Sequence, residues 1–171
     1  MASFDFVVED GSGIIGANSY IDLDYFYEWA AFYEVPELEN MDEVVFERYA
    51  RRASSWFDQQ LQWKSQPLVE GQGLEFPRAP FKSRNGGVVS GIPDEIKNAI
   101  VIIIQALNDG VDLYQQAKVL SAQTYGNSSE TYFGAYVQEG GTTSALTEAM
   151  SEVRKYGLGS KGFRQIPIVR G

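Results

Sequence analysis

The sequence predicts a mainly α-helical fold: a small bundle of about four helices with a β-hairpin and an extended C-terminal arm. Three observations predict it. Apolar residues recur at three-to-four-residue spacing in four segments, a glycine- and serine-rich turn separates two runs of strand-forming residues, and glycine and proline interrupt the end of the chain. With 171 residues, 44% of them hydrophobic, the chain can bury one core. We therefore expect a helical domain over residues 1–156 and an arm over residues 157–171.

The first two helices follow from periodicity and end signals. Residues 22–35 are predicted to be helical because Tyr25, Trp29 and either Phe32 or Tyr33 recur on one face, and Pro36 is expected to end the helix. Residues 40–61 follow, since Asn40 and Glu43 have the spacing of a capping box. The predicted apolar stripe of this second helix comprises Val45, Tyr49, Ala53, Trp56, Phe57 and Gln60.

The middle of the chain combines an irregular loop with a very apolar helix. Prolines and glycines throughout residues 63–92 disfavour regular structure there. A third helix is predicted over residues 93–108, because Pro93 suits the first helical position and two acids follow it. This helix is apolar nearly all round. It must therefore be enclosed, either at the centre of the bundle or between the bundle and a neighbouring subunit.

The last third of the chain is predicted to hold a hairpin, a short helix and the arm. Strand-forming residues at 117–125 and 130–138 flank a turn of Gly126, Asn127, Ser128 and Ser129, so the hairpin is expected at about 117–138. Residues 142–144 can cap a fourth helix that ends near Tyr156. The arm follows. Its aliphatic side chains cannot bury themselves, which favours a docking role over a frayed end.

Composition excludes several classes of function. The chain has no His and no Cys, so imidazole or thiolate metal sites, disulfides and Ser-His or Cys-His catalysis are excluded. A net charge of −9 disfavours a protein whose main task is to grip phosphate backbones. We expect no cofactor, no signal peptide and no membrane partner, since the longest apolar run is far shorter than a bilayer requires.

The glycine-rich segment near the N-terminus permits two interpretations. Gly11, Gly13 and Gly16 match the G-x-G-x-x-G pattern of a dinucleotide-binding loop. That motif requires a helix whose N-terminus faces a pyrophosphate, whereas Asn18 and Ser19 place the helix start after the glycines. We therefore interpret the three glycines as a structural turn in which they adopt positive φ.

Several pieces of the sequence, in this order, resemble a family of tailed-phage head-tail connector adaptors, whose members are often described as DnaT-like single-stranded-DNA-binding proteins. The matching residues are Val8-Glu9-Asp10-Gly11-Ser12-Gly13, Ala17-Asn18-Ser19-Tyr20, Tyr25-Phe26, Ala50-Arg51-Arg52-Ala53, Trp63, Phe76-Pro77-Arg78, Ile92-Pro93-Asp94-Glu95-Ile96-Lys97 and Ile166-Pro167-Ile168-Val169-Arg170-Gly171. The resemblance spans nearly the whole chain. Residues 111–140 depart from it, which leaves the placement of the hairpin open.

The resemblance implies a structural protein of the virion. Copies assembled in the host cytoplasm would form a ring beneath the twelve-fold portal at the head-tail junction, bind a downstream tail or connector protein, and let double-stranded DNA pass without sequence-specific binding. An acidic channel wall would suit such passage. The arm is expected to bind the portal protein through Phe163, Arg164, Ile166, Ile168, Val169 and Arg170. Neighbouring copies are expected to meet through the second and third helices, at Arg48, Arg52, Ile102 and Ile104.

Two alternative functions stay open. Single-stranded-DNA binding in phage replication would use aromatic stacking and a basic track, for which the candidates are Trp56, Trp63, Phe76, Phe81, Arg78, Lys82 and Arg84. An enzyme would depend on the acids Asp22, Asp24 and Glu28, which lie on one face of the first helix and could bind a hard metal. Acids at a helix start are more often dipole partners, so we expect no catalysis and no metal.

Overall fold

The structure is a computed structural model that describes residues 5–63, 65–82, 86–114, 124–125, 128–129, 142–156 and 159–160. Five helices dominate these residues: α1 (Leu23–Phe32), α2 (Pro36–Glu39), α3 (Glu43–Gln60), α4 (Asp94–Asn108) and α5 (Thr142–Glu152), which continues as a 3-10 turn over Val153–Tyr156. The strands are β1 (Leu61–Gln62), β2 (Gln66–Pro67), β3 (Arg78–Ala79), β4 (Thr124–Tyr125), β5 (Ser128–Ser129) and β6 (Gly159–Ser160). The predicted mainly helical fold with a small hairpin is confirmed.

Helix α4 forms the centre of the bundle and contacts α1, α3 and α5. Its apolar side chains are buried all round: Ile96, Ala99, Ile100, Val101, Ile102, Ile103, Ile104, Ala106 and Leu107. The sequence allowed this helix to lie either at the centre of the bundle or between the bundle and a neighbouring subunit. It lies at the centre of the bundle. Its N-terminus is also held from α5, because the Tyr156 hydroxyl donates to the Glu95 carboxylate.

Two expectations about the first helices are wrong. Pro36 is the first residue of the additional helix α2, a position that tolerates proline because no intrahelical donor is needed there. The cap of α3 is Asp42, not Asn40, since the Asp42 carboxylate accepts hydrogen bonds from the amides of Val44 and Val45.

The predicted α3 stripe is confirmed at Ala53, Trp56 and Phe57, which are buried, but its N-terminal part is shifted by one residue. Phe46 and Ala50 are fully buried, whereas Val45 and Tyr49 are half-buried. The buried series continues at four-residue steps through Ser54 and Asp58. A carboxyl group therefore lies on the inner face of this helix.

Residues 63–92 contain more regular structure than expected. Strands β2 and β3 pair antiparallel, with Gln66 opposite Ala79 and Pro67 opposite Arg78, and Lys82 forms a bridge with Val88. These pairs fold the segment back on α3 and bring its apolar residues, Leu74, Phe76 and Phe81, into the core.

The hairpin and arm are described only in part. Strands β4 and β5 pair Thr124 with Ser129 and Tyr125 with Ser128. Both strands lie inside the predicted hairpin, and β5 begins two residues before the second strand was expected to begin. Strand β6 pairs antiparallel with β1, with Leu61 opposite Ser160. The remainder of the predicted hairpin and arm residues 161–171 lie outside the described residues.

Gly73 shows how tightly this loop packs, and Gly71 supplies a matched comparison. A Cβ atom on Gly73 would overlap the backbone O and N of Ala17, whereas one on Gly71 would meet nothing within 4 Å, although Gly71 has a φ of 81°. We expect Gly73→Ala to lower the free energy of unfolding by about 2–3 kcal/mol, and Gly71→Ala by about 1 kcal/mol. Urea unfolding followed by circular dichroism measures both, and equal losses would contradict the packing argument.

Candidate functional site

The glycine-rich segment is organised around one buried carboxylate. Glu9 is 2% exposed; its Oε1 accepts from the amides of Gly11 and Gly13 at 2.9 and 2.8 Å, and its Oε2 accepts from the amide of Ile14 at 2.8 Å. Gly11, Gly13 and Gly16 have φ angles of 99°, 82° and 84°. The amides that a pyrophosphate would use are thus occupied by a side chain of the chain itself. No helix begins at the segment, because α1 starts at Leu23.

A second buried carboxylate joins three distant parts of the chain. Asp58 on α3 is 8% exposed; it accepts from the Tyr20 hydroxyl at 2.6 Å and from the Glu75 amide at 2.9 Å. The Tyr20 hydroxyl accepts in turn from the amide of Phe76 at 3.0 Å. This buried cluster therefore ties the residues before α1 and the loop after β2 to the helix.

Burial dominates the electrostatics of this cluster. It raises the pKa of Asp58 to about 7, against the opposing effect of the hydrogen bonds from Glu75 and Tyr20. Burial and the adjacent charge of Asp58 also raise the pKa of Tyr20 well above its usual value. The carboxyl group of Asp58 consequently carries a proton at pH values where an exposed aspartate is fully ionised.

A continuous row of aromatic rings runs beside this cluster. Successive centroids are 5.0–6.1 Å apart, and the rings belong to Tyr20, Phe57, Trp63, Phe76, Phe81 and Tyr156. The row includes three of the four aromatic residues proposed for base stacking. Trp56, the fourth, is also buried, and its Nε1 donates to the carbonyl oxygen of Leu113. The structure thus places the proposed stacking rings in the core or at its edge, where Trp63 is half-buried.

The basic candidates for DNA contact are divided. Arg78 is mostly buried; its guanidinium donates to the carbonyl oxygens of Ser65 and Glu75 and to the Glu75 carboxylate, the last at 2.7 Å. It also lies 6.0 Å from the centre of the Trp63 ring. Lys82 is exposed, and Arg84 lies outside the described residues.

A shallow cleft of about 380 Å³ lies between α3 and the loop after β2. Arg51, Ser55 and Asp58 line one wall, and Gln72 and Glu75 line the other. Arg51 forms an ion pair with Glu47 at 3.2 Å, and its guanidinium stacks on Phe6. The cleft is polar and of mixed charge.

The acids proposed as metal ligands have structural partners or face solvent. Asp22 is the N-cap of α1 and accepts from the Tyr25 amide at 2.8 Å, while Asp24 and Glu28 are exposed. In the described part of the chain, no group of three or more His, Cys, Asp or Glu side chains is placed to hold a metal ion. Nor is any described helix long and apolar enough to cross a bilayer.

The most unusual surface lies at the end of α1. Phe32 is 79% exposed and Tyr33 is 54% exposed; their ring centroids are 5.0 Å apart, and Trp29 lies 4.4 Å behind Tyr33. Exposed acids precede and follow the two aromatic residues in the sequence. We call the patch formed by Glu28, Phe32, Tyr33, Glu34 and Glu37 the acidic aromatic surface.

The residues predicted for subunit contacts are not brought together as one patch. Arg48 and Arg52 are exposed on α3, whereas Ile102 and Ile104 are buried inside the chain. The predicted interface stays a prediction for the arginines, and these two isoleucines pack against the chain's own helices. The six portal-binding residues of the arm lie outside the described residues.

Comparison with known proteins gives one match. A family model described as "Putative DnaT-like ssDNA binding protein" matches residues 4–171. The chain belongs to this DnaT-like family. No curated protein matches the chain, and no solved structure does.

The two carboxylates that organise this DnaT-like chain were missed as functional residues in the sequence. A signal for Asp58 exists, because Phe46, Ala50, Ser54 and Asp58 form a series at four-residue steps, and Phe46 marks its phase. For Glu9, the only signal is its position directly before the glycine-rich segment. Glu9 belongs to one of the motifs that carry the resemblance, whereas Asp58 lies outside them.

The raised pKa of Asp58 predicts how stability depends on pH. The folded chain holds a proton that an unfolded aspartate releases near its usual pKa of 3.8, so the contribution of Asp58 to stability is full below about pH 4 and is lost as pH rises towards 7. We expect Asp58→Asn to remove this slope. The difference in unfolding free energy between wild type and variant should change by up to about 4 kcal/mol across that window.

The control is Glu70→Gln, which neutralises an exposed carboxyl on the nearby loop. It corrects for the general effect of one negative charge fewer in an acidic protein. Urea unfolding at pH 4 to 8 measures all three proteins. Parallel profiles for wild type and Asp58→Asn would contradict the assignment.

Proposed function

We propose that this chain is a structural protein of a tailed-phage virion, a head-tail connector adaptor whose copies form a ring beneath the portal. In this proposal it joins the portal to a downstream tail protein and extends the DNA channel, without catalysis and without a cofactor. Its place is the virion, after assembly in the host cytoplasm.

The observation that carries the proposal is the burial of the groups that DNA binding would need. Trp56, Phe76 and Phe81 are buried, and Arg78 is bonded to Ser65 and Glu75. Side chains that already satisfy one another in the core stabilise the fold and have no free face for a base. This supports a protein that works through its surfaces as a rigid building block.

Charge supports the same function. The net charge of −9 repels phosphates, so a ring of such chains would let DNA slide through without adhering to it. The acids are also concentrated. Residues 22–47 contain nine acids and neither Lys nor Arg, namely Asp22, Asp24, Glu28, Glu34, Glu37, Glu39, Asp42, Glu43 and Glu47.

Single-stranded-DNA binding is the second candidate, favoured by the description of the family. Of the three cations proposed for this function, it would use exposed Lys82 together with Arg84, which lies outside the described residues. Binding of that kind would be electrostatic and would weaken steeply with salt.

Electron microscopy with the portal protein of the same phage tests the adaptor function. We expect the full chain, added in excess to portal rings, to form an additional ring of density on one face with the rotational symmetry of the portal. A chain that ends at Ser160 keeps the pairing of β6 with β1. We expect it to bind the portal at least about tenfold more weakly, because it lacks the predicted arm contacts. Undecorated portal rings would contradict the proposal.

Binding to a fluorescent oligo-dT tests the alternative. We expect no change in anisotropy up to about 10 µM protein at low salt, since the chain is acidic and its proposed stacking rings are buried. The matched variant is Lys82→Glu, which reverses the exposed cation. Salt-dependent binding that Lys82→Glu weakens would favour the single-strand function instead.

A further inference from the structure

The acidic aromatic surface lacks a partner of opposite charge within its own segment. Glu28, Glu34 and Glu37 are exposed and belong to the stretch of residues 22–47 that contains no Lys or Arg. Like charges held together on a surface repel one another, and a cationic ligand relieves that repulsion. The electrostatics of this surface therefore select a basic partner.

The aromatic residues at the centre of the surface specify an apolar component as well. Phe32 and Tyr33 expose most of their ring surface to water, although they touch each other and Tyr33 lies on Trp29. Adjacent exposed rings flanked by charges are typical of protein-binding patches. A fitting partner thus combines cations with aliphatic or aromatic side chains.

Trp29 adds an unused hydrogen-bond donor. Its Nε1 is buried and has no acceptor among the described residues, which costs about 1–3 kcal/mol in a folded protein. The half-exposed ring of Tyr33 packs against the Trp29 ring. A bound peptide that reached Nε1 would supply a backbone carbonyl oxygen as its acceptor.

The end of this chain has the required composition. Residues 161–171 contain three cations, Lys161, Arg164 and Arg170, and no acid. Four apolar residues alternate with them: Phe163, Ile166, Ile168 and Val169. Pro167 disfavours a helix, so the segment would present an extended backbone with free carbonyl oxygens.

Geometry separates binding within one copy from binding between copies. Phe26 of α1 lies beside Phe46, and the Tyr27 hydroxyl donates to the carbonyl oxygen of Met41, so α1 lies at the N-terminal end of α3. Strand β6 lies at the other end of α3, about 27 Å away for 18 residues of helix. An extended chain from Ser160 covers only about 14 Å to Arg164 and about 30 Å to Val169. Phe163 and Arg164 therefore cannot reach the surface of their own copy, so the segment as a whole can cover only the surface of another copy.

We infer that the acidic aromatic surface of one copy binds residues 161–171 of a second copy. Arg164 and Arg170 pair with Glu28, Glu34 and Glu37, and the apolar residues of the segment cover Phe32 and Tyr33. The contact is heterologous, since it joins two different surfaces, and repetition of it generates a ring or an open chain.

This contact deepens the proposed function by naming how copies meet before a portal binds their C-terminal segments, and it rests on that proposal only for this exchange of partners. Because the portal is the other predicted partner of the same segment, one segment serves one of the two at a time. The contact between copies is measured without a portal, so its failure is distinct from a failure to decorate portal rings.

Sedimentation velocity of the full chain, at increasing concentrations and at two salt concentrations, tests the contact. We expect reversible association at low salt that weakens at least about tenfold in 0.5 M NaCl, because several exposed ion pairs are screened. Phe32→Ser should weaken association at least about tenfold, since it removes the central exposed ring. Ile15→Ser is the matched control, because Ile15 is 74% exposed elsewhere on the chain and its loss should leave association unchanged.

A charge exchange gives the sharpest test. We expect Glu34→Lys with Glu37→Lys to abolish association, and Arg164→Glu with Arg170→Glu to do the same. A chain that carries all four substitutions should regain association, because the charges are again complementary. A synthetic peptide of residues 161–171 should compete with association of the full chain.

Unchanged thermal unfolding shows that each variant is folded, as expected for substitutions at exposed positions. A full chain that stays monomeric at about 100 µM in low salt would overturn the inference, because a contact that does not form at this concentration is too weak to join copies. So would association that survives removal of residues 161–171, or equal effects of Phe32→Ser and Ile15→Ser.

Discussion

The hydrogen bonds of Asp58 join three parts of the chain that are distant in sequence. Its carboxyl group lies on the inner face of α3 and accepts hydrogen bonds from the hydroxyl of Tyr20 and from the amide of Glu75. The loop of residues 63–92 is too rich in glycine and proline to order itself. Because Asp58 and Tyr20 satisfy the amides of Glu75 and Phe76, the loop can bury Phe76 beside Trp63 and Phe81. The aromatic row and the packing of α4 follow from the burial of Phe76.

Sequence reasoning found those parts of the fold that depend on local signals. Pro93 with the acids after it marked the start of α4, and the apolar composition of that helix required enclosure on all sides. Sequence reasoning failed where one position serves two roles, or where a residue contacts a group that is distant in the sequence. Pro36 both follows α1 and opens α2, and the choice between Val45 and Phe46 as the inner residue of α3 depends on a tertiary contact with Phe26. The positions of Glu9 and Asp58 in the interior depend on amides that lie elsewhere in space.

The candidate site was less predictable than the fold for the same reason. Aromatic and basic residues at 56–84 have the composition of a single-strand-binding surface, and composition does not state which way a ring faces. In the folded chain the rings of Phe76 and Phe81 pack edge to face, with their centroids 5.0 Å apart. The guanidinium of Arg78 donates to oxygen atoms of Ser65 and Glu75. Several residues that carry the family resemblance, such as Glu9 and Phe76, therefore act within the fold. The closing motif, residues 166–171, is the part of the resemblance to which our proposals assign binding.

Acidic and basic residues are concentrated in different segments of the chain. The acids are concentrated in residues 22–47, whereas the charged residues of the last eleven positions are all basic. A sequence with two unlike segments is suited to contacts in which the basic segment of one copy meets the acidic surface of another. Opposite charges on separate surfaces also let copies attract one another while the net charge of −9 still repels DNA. Self-association through the three cations of residues 161–171 and a channel that does not bind DNA are thus compatible in one acidic sequence.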